Sequence, residues 1–459
     1  MLSMSFVLTI FFITLVIAIL SGLLFLNQSV PIKYINIHLY LVFLPIIIGI
    51  IGLLTVKDRE QIGPFTLDHL AWLMGSFILV LGFIIQKFSA RYLIGDRNYR
   101  KYFPLFTLIT SFASVAWLSG DLRLMVLFWG ATLLSLTLLI RVNRSWKIPH
   151  EAAKISGKSF ALGWFALLVA VVLLFVSTGD WHINIASSYD NTINSGMKFI
   201  IDILIVIAVI VPAAQFPFQS WLIESVAAPT PVSAIMHAGI VNAGGIILTR
   251  FSPVFDNSFA ITILLIIASV SVLLGSGISL VHVDYKRQLV GSTMSQMGFM
   301  LVQCALGVYS AAIIHLILHG VFKATLFLQS GSVVKRFNIP TPPSAKRSYS
   351  WVVLGRLLAI VIAVAFWLNS DRSPYEIISA LILAWSLMVS WNQMVAFSRG
   401  LIGRVVGVMM IVIVAIVYII THHYFYNTLN TVYMHIAHPP VISLSLIHIS
   451  EPTRLGMIS

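Results

Sequence analysis

The chain has 459 residues, of which 59% are hydrophobic and only 9% are charged, and its formal net charge is +13. Because soluble globular domains carry about 25% charged residues, this composition excludes a water-soluble globular protein. The single cysteine, Cys304, excludes an internal disulfide and an iron–sulfur cluster held by cysteines of this chain.

Long apolar runs follow one another along the chain. A hydrocarbon core of about 30 Å needs about 20 apolar residues per helix, so these runs predict an all-α polytopic membrane protein with about fourteen transmembrane helices. The first seven runs cover residues 4–26, 35–56, 67–85, 102–118, 122–140, 159–176 and 199–211. The second seven cover residues 232–248, 259–282, 289–306, 310–334, 351–368, 377–397 and 402–420.

Lysine and arginine are distributed unequally between the two sets of loops. Most of them follow odd-numbered runs, as do Lys87, Arg91, Lys154 and Lys158. By the positive-inside rule these loops face the cytoplasm. We therefore expect a multi-pass protein of the cell inner (plasma) membrane with both termini on the outer face.

Prolines interrupt the seventh run and precede the eighth. This stretch contains four prolines, Pro212, Pro217, Pro229 and Pro231, together with polar residues that include Gln215 and Glu224. A proline removes a backbone N–H, and irregular backbone at membrane depth persists only where protein or water satisfies it. Discontinuous helices of this kind mark ion paths in transporters, so we predict a broken seventh helix; an ordinary proline kink is the alternative.

The eleventh run carries three ionisable residues at intervals of four. His315, His319 and Lys323 share one helix face, because four residues rotate an α-helix by about 40° beyond a full turn. Ionisable groups inside a membrane are costly and mark functional sites, and histidine titrates near neutral pH. The stripe therefore predicts a proton or ion pathway, to which His237 in the eighth run is a candidate link. The alternative is structural: the imidazoles only hydrogen-bond neighbouring helices, and Lys323 is an ion-pair partner.

The remaining polar features carry no prediction of chemistry. Asp68 and Asp202 lie near the ends of runs, where we expect water to reach them, and we assign them no role. The sequence has no GxxxxGK[ST] phosphate loop. We predict no cofactor, no metal site and no catalytic residue, which leaves a channel, a transporter or the membrane subunit of a larger machine. Of these we predict an ion-coupled transporter subunit, and not an enzyme.

Two long motifs carry a family resemblance. Residues 215–222, Gln-Phe-Pro-Phe-Gln-Ser-Trp-Leu, and residues 228–238, Ala-Pro-Thr-Pro-Val-Ser-Ala-Ile-Met-His-Ala, resemble the signature of proton-conducting membrane subunits. That family includes chain L (chain 5) of respiratory complex I and the large subunit of Mrp-type antiporters. The resemblance implies an antiporter-like fold with a broken seventh helix.

The resemblance also implies a division of the chain. Residues 1–101 would form N-terminal transmembrane helices 1–3, residues 102–334 the proton-conducting-transporter core of helices 4–11, and residues 335–443 the C-terminal helices 12–14. Residues 444–454, Leu-Ser-Leu-Ile-His-Ile-Ser-Glu-Pro-Thr-Arg, resemble a translated transposase sequencing adapter. We therefore expect residues 444–459 to be an artefact that replaces the natural C-terminus.

Within that family, the amino-acid sequences of three segments are most similar to those of DabB-type subunits. These segments are residues 237–245, His-Ala-Gly-Ile-Val-Asn-Ala-Gly-Gly, residues 250–253, Arg-Phe-Ser-Pro, and residues 296–300, Gln-Met-Gly-Phe-Met. The resemblance implies the membrane subunit of an energy-coupled inorganic carbon (CO2/bicarbonate) uptake system, which conducts H+ (or Na+) to drive a DabA-type partner. That partner would carry a carbonic-anhydrase-like zinc site, and no nucleic acid is expected.

Two other functions stay open. One is a proton-translocating antiporter-like subunit of NADH-quinone oxidoreductase or of an Mrp-type Na+/H+ antiporter, and the other is a non-conducting membrane anchor. Trp129-Gly130-Ala131 stands where complex I subunits have Trp-Glu-Gly, and Pro212 stands where they place a lysine. Arg356 is the basic residue of the twelfth run, where they carry another lysine. The complete relay of a respiratory pump is therefore absent from this chain.

Overall fold

The structure, a computed structural model, describes residues 3–143, 147–182, 193–330, 349–368 and 404–413, together with several single positions between 380 and 416. Within these residues, nine helical segments are long and apolar enough to cross a membrane. The predicted all-α polytopic class is confirmed. The predicted thirteenth run is described at single positions only, and residues 444–459 lie outside the described part.

The chain forms two compact units, residues 1–333 with 428–439 and residues 334–427 with 440–459. In the first unit the helices are α1 (Met4–Leu24), α2 (Ile35–Thr55), α3 (His69–Tyr92), α4 (Tyr99–Leu118), α5 (Leu122–Ile140), α6 (Lys147–Thr178), α7 (Ser195–Ile210), α8 (Ser220–Glu224), α9 (Thr230–Ala238), α10 (Ala243–Phe251), α11 (Ser258–Val281), α12 (Tyr285–Ala305) and α13 (Tyr309–Leu328). A hairpin of β1 (Glu60–Ile62) and β2 (Phe65–Leu67) joins α2 to α3.

The second unit contains α14 (Tyr349–Leu368) and a shorter apolar helix, Arg404–Ile413. Val352, Trp391, Val395 and Ile411 form one buried cluster in it, and Ala363, Ala380 and Ala384 form another. The indole N–H of Trp391 donates to the carbonyl of Trp351 at 2.7 Å.

Side-chain caps set the starts of several helices. The carboxylates of Asp68, Asp121 and Asp284 accept backbone N–H groups in the first turns of α3, α5 and α12, and the amide oxygen of Asn257 does the same for α11. Asp and Asn are favoured at this position because they satisfy orphan N–H groups. Helix α12 therefore begins at Tyr285, before the predicted apolar run at residue 289.

Two predicted runs differ from the helices observed. Helix α6 begins at Lys147, well before the predicted start at residue 159, because its first turns are charged and an apolar run does not include them. The eighth run is split into α9 and α10 by a 3-10 turn at Ile240–Asn242. The side-chain amide of Asn242 donates to the carbonyl of Ala238 at 2.6 Å, in place of the backbone N–H of an α-helix.

Candidate ion pathway

The histidine and lysine stripe lies on the buried face of α13. His319 and Lys323 are 5% and 0% exposed, and His315 is half-buried. On the other face, Leu318 and Phe322 are more than half exposed. The stripe therefore points into the protein, toward α9 and α12, and not toward the lipid.

The ammonium group of Lys323 is held by helix α12. Its Nζ donates to the hydroxyl oxygen of Ser292 at 2.7 Å and to the carbonyl oxygen of Leu289 at 3.1 Å. Hydrogen bonds from a charged donor are roughly twice as strong as neutral ones, so these two contacts offset part of the cost of burial.

The other end of the stripe also contacts α12. Nδ1 of His315 lies 3.2 Å from Oε1 of Gln303, and the His315 ring packs against Phe299 at a centroid distance of 5.4 Å. The ring centroids of His315 and His319 are 6.2 Å apart. Polar side chains therefore follow one another along the α12–α13 interface from Gln303 to Ser292.

His237 lies beside this interface on α9. Its ring stacks on Phe327, one turn beyond Lys323, with centroids 4.3 Å apart and an interplanar angle of 18°. The ring is fully buried, and neither ring nitrogen has a hydrogen-bond partner among the residues that the structure describes. His237 therefore contacts α13 through the ring of Phe327, and its role as a link to the stripe stays a prediction.

Gly320 is what lets α9 approach α13. A Cβ atom at this position would lie 2.8 Å from the carbonyl oxygen of Ala238 and 2.6 Å from Cζ of Phe77. Real Cβ atoms essentially never come so close. A larger residue at position 320 would therefore move α13 away from His237.

The seventh helix is broken, as predicted. Helix α7 ends at Ile210, and regular helix resumes only with α8 at Ser220. Side chains take up the freed carbonyls: the indole of Trp221 donates to Val211 at 2.8 Å, and the amide of Gln215 donates to Ala213 at 2.6 Å. Protein groups thus satisfy much of the irregular backbone at this depth.

Gln215 ties the break to α12. Its amide nitrogen also lies 3.3 Å from the carbonyl of Met294, and its Oε1 is buried without a hydrogen-bond partner among the described residues. A Cβ atom on Gly298 would come within 2.9 Å of that Oε1. The break therefore presents an unsatisfied acceptor next to the helix that holds Lys323.

The other predicted residues of the break differ in their exposure. Pro212 and Pro231 are buried and Pro229 is half-buried, whereas Pro217 and Glu224 are exposed. Glu224 lies at the end of α8, and no described contact places it in the stripe.

Gly130, at the position where complex I subunits have a glutamate, has no space for a side chain. A Cβ atom on Gly130 would lie 2.4 Å from Nε1 of Trp164, and that indole N–H donates to the carbonyl of Val126 at 2.9 Å. An indole therefore occupies the space that a side chain at position 130 would need. In the second unit, Arg356 is exposed.

Two polar groups escaped the sequence analysis. Asp68 is 2% exposed and pairs with Arg250, which is 8% exposed, at 2.6 Å; Arg250 also donates to the carbonyl of Trp117. Asp202 is fully buried and accepts the backbone N–H of Asn257. The expectation that water reaches both carboxylates is wrong, because distant segments cover these helix ends. Arg250, the basic residue of the Arg-Phe-Ser-Pro segment, is the feature of the sequence that could have indicated the ion pair with Asp68.

A buried hydrogen-bond network that connects α1, α2, α3 and α4 was also overlooked. Nδ1 of His38 lies 2.8 Å from the hydroxyl of Ser21, and Nε2 lies 3.0 Å from Oε1 of Gln86. Thr107 contacts both His38 and Gln86 at 3.2 Å. A histidine inside the second apolar run was the signal for this network.

Comparisons with known proteins agree with this architecture. The family model described as "NADH:quinone oxidoreductase/Mrp antiporter, TM" matches residues 119–407. The "Probable inorganic carbon transporter subunit DabB" of Bacillus subtilis (strain 168) is 56% identical over 448 residues, which cover 97% of this chain and 89% of that protein. The chloroplastic NAD(P)H-quinone oxidoreductase subunit 5 of Nymphaea alba is 31% identical over 305 residues, 64% of this chain and 40% of that protein. A chain of the Mrp complex from Dietzia sp. DQ12-45-1b has a similar fold, with a TM-score of 0.63, 22% identity, and coverage of 98% of this chain and 50% of that one.

Proposed function

Because the chain belongs to the DabB family of inorganic carbon transporter subunits, within the wider NADH:quinone oxidoreductase/Mrp antiporter family, we propose that it is the membrane subunit of an energy-coupled uptake system for CO2 or bicarbonate. In this proposal the chain conducts H+, or Na+, and the flow drives a DabA-type partner with a carbonic-anhydrase-like zinc site. The high identity over nearly the whole Bacillus subtilis relative supports the class of transporter. The buried stripe of α13 is the observation that supports ion coupling.

Lys323 is the proposed exchange site. Ser292 accepts a hydrogen bond from the ammonium, and the same hydroxyl is able to donate to a neutral amine, because a hydroxyl has both a donor and acceptor lone pairs. Both protonation states of Lys323 are therefore satisfied at Ser292. A buried lysine that keeps a partner in both states can release and rebind a proton.

His315 and His319 are the proposed relay toward Lys323. A neutral imidazole donates at one nitrogen and accepts at the other, so a proton taken up at one side leaves from the other. The 6.2 Å between the two ring centroids suits transfer through a bridging water. Gln303 orients the first ring by its contact with Nδ1.

A second proposed entry to Lys323 begins at the break after α7. Buried polar atoms without a protein partner are usually satisfied by ordered water. The two ring nitrogens of His237 and Oε1 of Gln215 are atoms of this kind. We place water at both positions, so that a wet path leads from the break past His237 to Lys323.

The predicted orientation gives the route a direction. If the end of α3 that carries Lys87 and Arg91 and the start of α6 that carries Lys154 and Lys158 face the cytoplasm, α13 runs from the outside to the cytoplasm. His315 then lies toward the outside and Lys323 toward the cytoplasm. Protons would move inward, down the usual gradient across a plasma membrane.

Growth of a bacterial host tests this function. We expect co-expression of the chain with its DabA-type partner to restore growth in air to a host that lacks carbonic anhydrase. Lys323→Ala should abolish that growth, whereas Lys154→Ala, which removes an exposed lysine of α6, should not. Growth that is indifferent to Lys323→Ala would remove the stripe from the mechanism.

A second candidate function is an antiporter-like subunit of NADH-quinone oxidoreductase or of an Mrp-type antiporter. The chloroplastic relative supports it, but at 31% identity and over 40% of that protein, against 56% and 89% for the DabB relative. The Mrp structure, at 22% identity, supports only the shared fold. The neighbouring genes discriminate: a DabA-like gene favours carbon uptake, and a run of respiratory subunit genes favours this alternative. Ion flux in vesicles, with and without the partner, separates both from a non-conducting membrane anchor.

A further inference from the structure

A groove of about 1050 Å³ opens between α2, α3 and the end of α13. Its walls include Leu39 of α2 and Phe83, Ile84 and Phe88 of α3, with Leu328 at the end of α13. The groove lies within the first compact unit, and none of its lining residues belongs to the His315–Lys323 stripe, so the inference does not rest on the proposed function.

The groove has an apolar end and a basic end. Along α3, Phe83 and Ile84 are followed one turn later by Lys87 and another turn later by Arg91, all of which line the groove. Helix α2 runs antiparallel to α3, so its first polar residue, Asn36, lines the same end as Arg91. Polarity therefore increases toward the ends of the helices, where the membrane surface would be.

The charge at the basic end is not compensated within the described residues. No carboxylate lines the groove, and neither Lys87 nor Arg91 forms an ion pair in the part of the chain that the structure describes. Both side chains are exposed. Lys33 and Arg100 are further basic residues on the same side of the helix bundle.

We propose that this groove binds an anionic phospholipid. The phosphate of its headgroup would lie between Lys87 and Arg91, and an acyl chain would follow Leu39, Phe83 and Ile84. Basic pockets between transmembrane helices bind anionic headgroups in this way. A free phosphate ion would make no use of the apolar end, and an apolar helix of another protein would make no use of the two cations.

The aromatic residues of the groove fit the same occupant. Tyr40 and Tyr92 line it; Tyr40 is largely exposed and Tyr92 is about half exposed. Tyrosine is enriched where headgroups meet acyl chains, because its ring is apolar and its hydroxyl is polar.

Retained lipid tests the proposal. The full chain is reconstituted into vesicles of phosphatidylcholine and phosphatidylglycerol, extracted in mild detergent, and analysed by native mass spectrometry for bound lipid. We expect bound phosphatidylglycerol on the parent protein and about thirtyfold weaker retention by Lys87→Gln/Arg91→Gln, because each basic residue near a membrane strengthens attraction to anionic lipid about fivefold. The control Lys154→Gln/Lys158→Gln removes two exposed lysines with the same four-residue spacing from α6 and should retain the lipid.

A second variant tests the apolar end without any change of charge. Ile84→Trp fills the groove beside Phe83 and should also lose phosphatidylglycerol, although Lys87 and Arg91 remain. A parent protein without bound phosphatidylglycerol, equal retention of phosphatidylcholine, or equal losses in the groove and control variants would overturn the proposal. Displacement by free phosphate, with no effect of Ile84→Trp, would assign the basic end to a soluble anion and would overturn it as well.

Discussion

Lys323 is buried against two oxygen atoms of α12 that carry no formal charge, the hydroxyl of Ser292 and the carbonyl of Leu289. These two acceptors differ in what they offer a neutral amine. The carbonyl only accepts, so it favours the ammonium, whereas the hydroxyl serves both forms. At the residue scale, the proposed route therefore uses Ser292 as a positioning residue, which would let Lys323 change its charge without losing its contact.

The first prediction concerns Ser292. Ser292→Ala removes the hydroxyl contact and keeps the carbonyl contact, so we expect about tenfold slower ion-coupled uptake, since a hydrogen bond to a charged group is worth about 1.5 kcal/mol or more. Ser292→Thr keeps the hydroxyl and should restore most of the rate. Uptake rates per folded protein measure the effect. Equal rates in the parent and Ser292→Ala proteins would show that the contact is only structural.

The second prediction concerns the buried ion pair. Asp68→Asn leaves Arg250 without its carboxylate, and we expect a loss of about 3–5 kcal/mol in the free energy of unfolding, as for other buried pairs that lose one partner. Asp256→Asn is the control, because its pair with Lys198 is partly exposed and should contribute less than about 1 kcal/mol. Thermal unfolding in detergent compares the two variants, and equal shifts would contradict the importance of burial at Asp68.

At the scale of helices, the sequence was informative where a pattern is local. The four-residue spacing of His315, His319 and Lys323 predicts one buried face, and prolines predict the break after α7. Contacts between helices could not be predicted this way. Lys323 and Ser292 are far apart in the sequence, as are Asp68 and Arg250, and nothing in their local sequence shows that the fold brings them together.

The split of the eighth helix shows another limit. Asn242 ends α9 because its side chain takes the carbonyl of Ala238, yet an asparagine at this position is also compatible with a continuous helix. Likewise, the closure of position 130 depends on a tryptophan from the next helix, which the apolar pattern of α6 does not distinguish from any other large residue. Side-chain packing of this kind becomes visible only in three dimensions.

The third prediction belongs to the α9–α13 contact. Gly320→Ala places a Cβ atom against the carbonyl of Ala238, so we expect a lower melting temperature and slower uptake as α13 moves away from His237. Gly277→Ala on α11 is the matched control, because nothing lies within 4 Å of its Cβ position and alanine favours a helix by about 0.5–1 kcal/mol. A destabilisation of the same size in both variants would contradict the role of close packing at Gly320.

At the scale of the whole molecule, most predictions came from the composition and from the distribution of charged residues. The low charged fraction indicates a membrane protein, and the unequal distribution of lysine and arginine predicts an orientation. The family follows from long motifs, and the comparisons confirm it. Orientation decides which end of the stripe receives ions, so it is the global property on which the direction of transport depends.

The fourth prediction concerns that orientation. The chain has one cysteine, and Cys304 is buried, so an added surface cysteine should be the main site of labelling. Lys154→Cys should react with a membrane-impermeant maleimide only after the cytoplasmic side is exposed, and Arg123→Cys should react in intact cells. The reverse pattern would invert the topology and the proposed direction of ion movement.

The most direct test of the account is proton flux through the purified complex of this chain with its DabA-type partner in sealed vesicles. A pH-sensitive dye inside the vesicles reports the flux when a pH gradient and inorganic carbon are supplied. We predict flux with the parent protein and with Lys154→Ala, and none above background with Lys323→Ala. Equal flux with Lys323→Ala, in protein that folds and binds its partner normally, would contradict conduction through the α13 stripe.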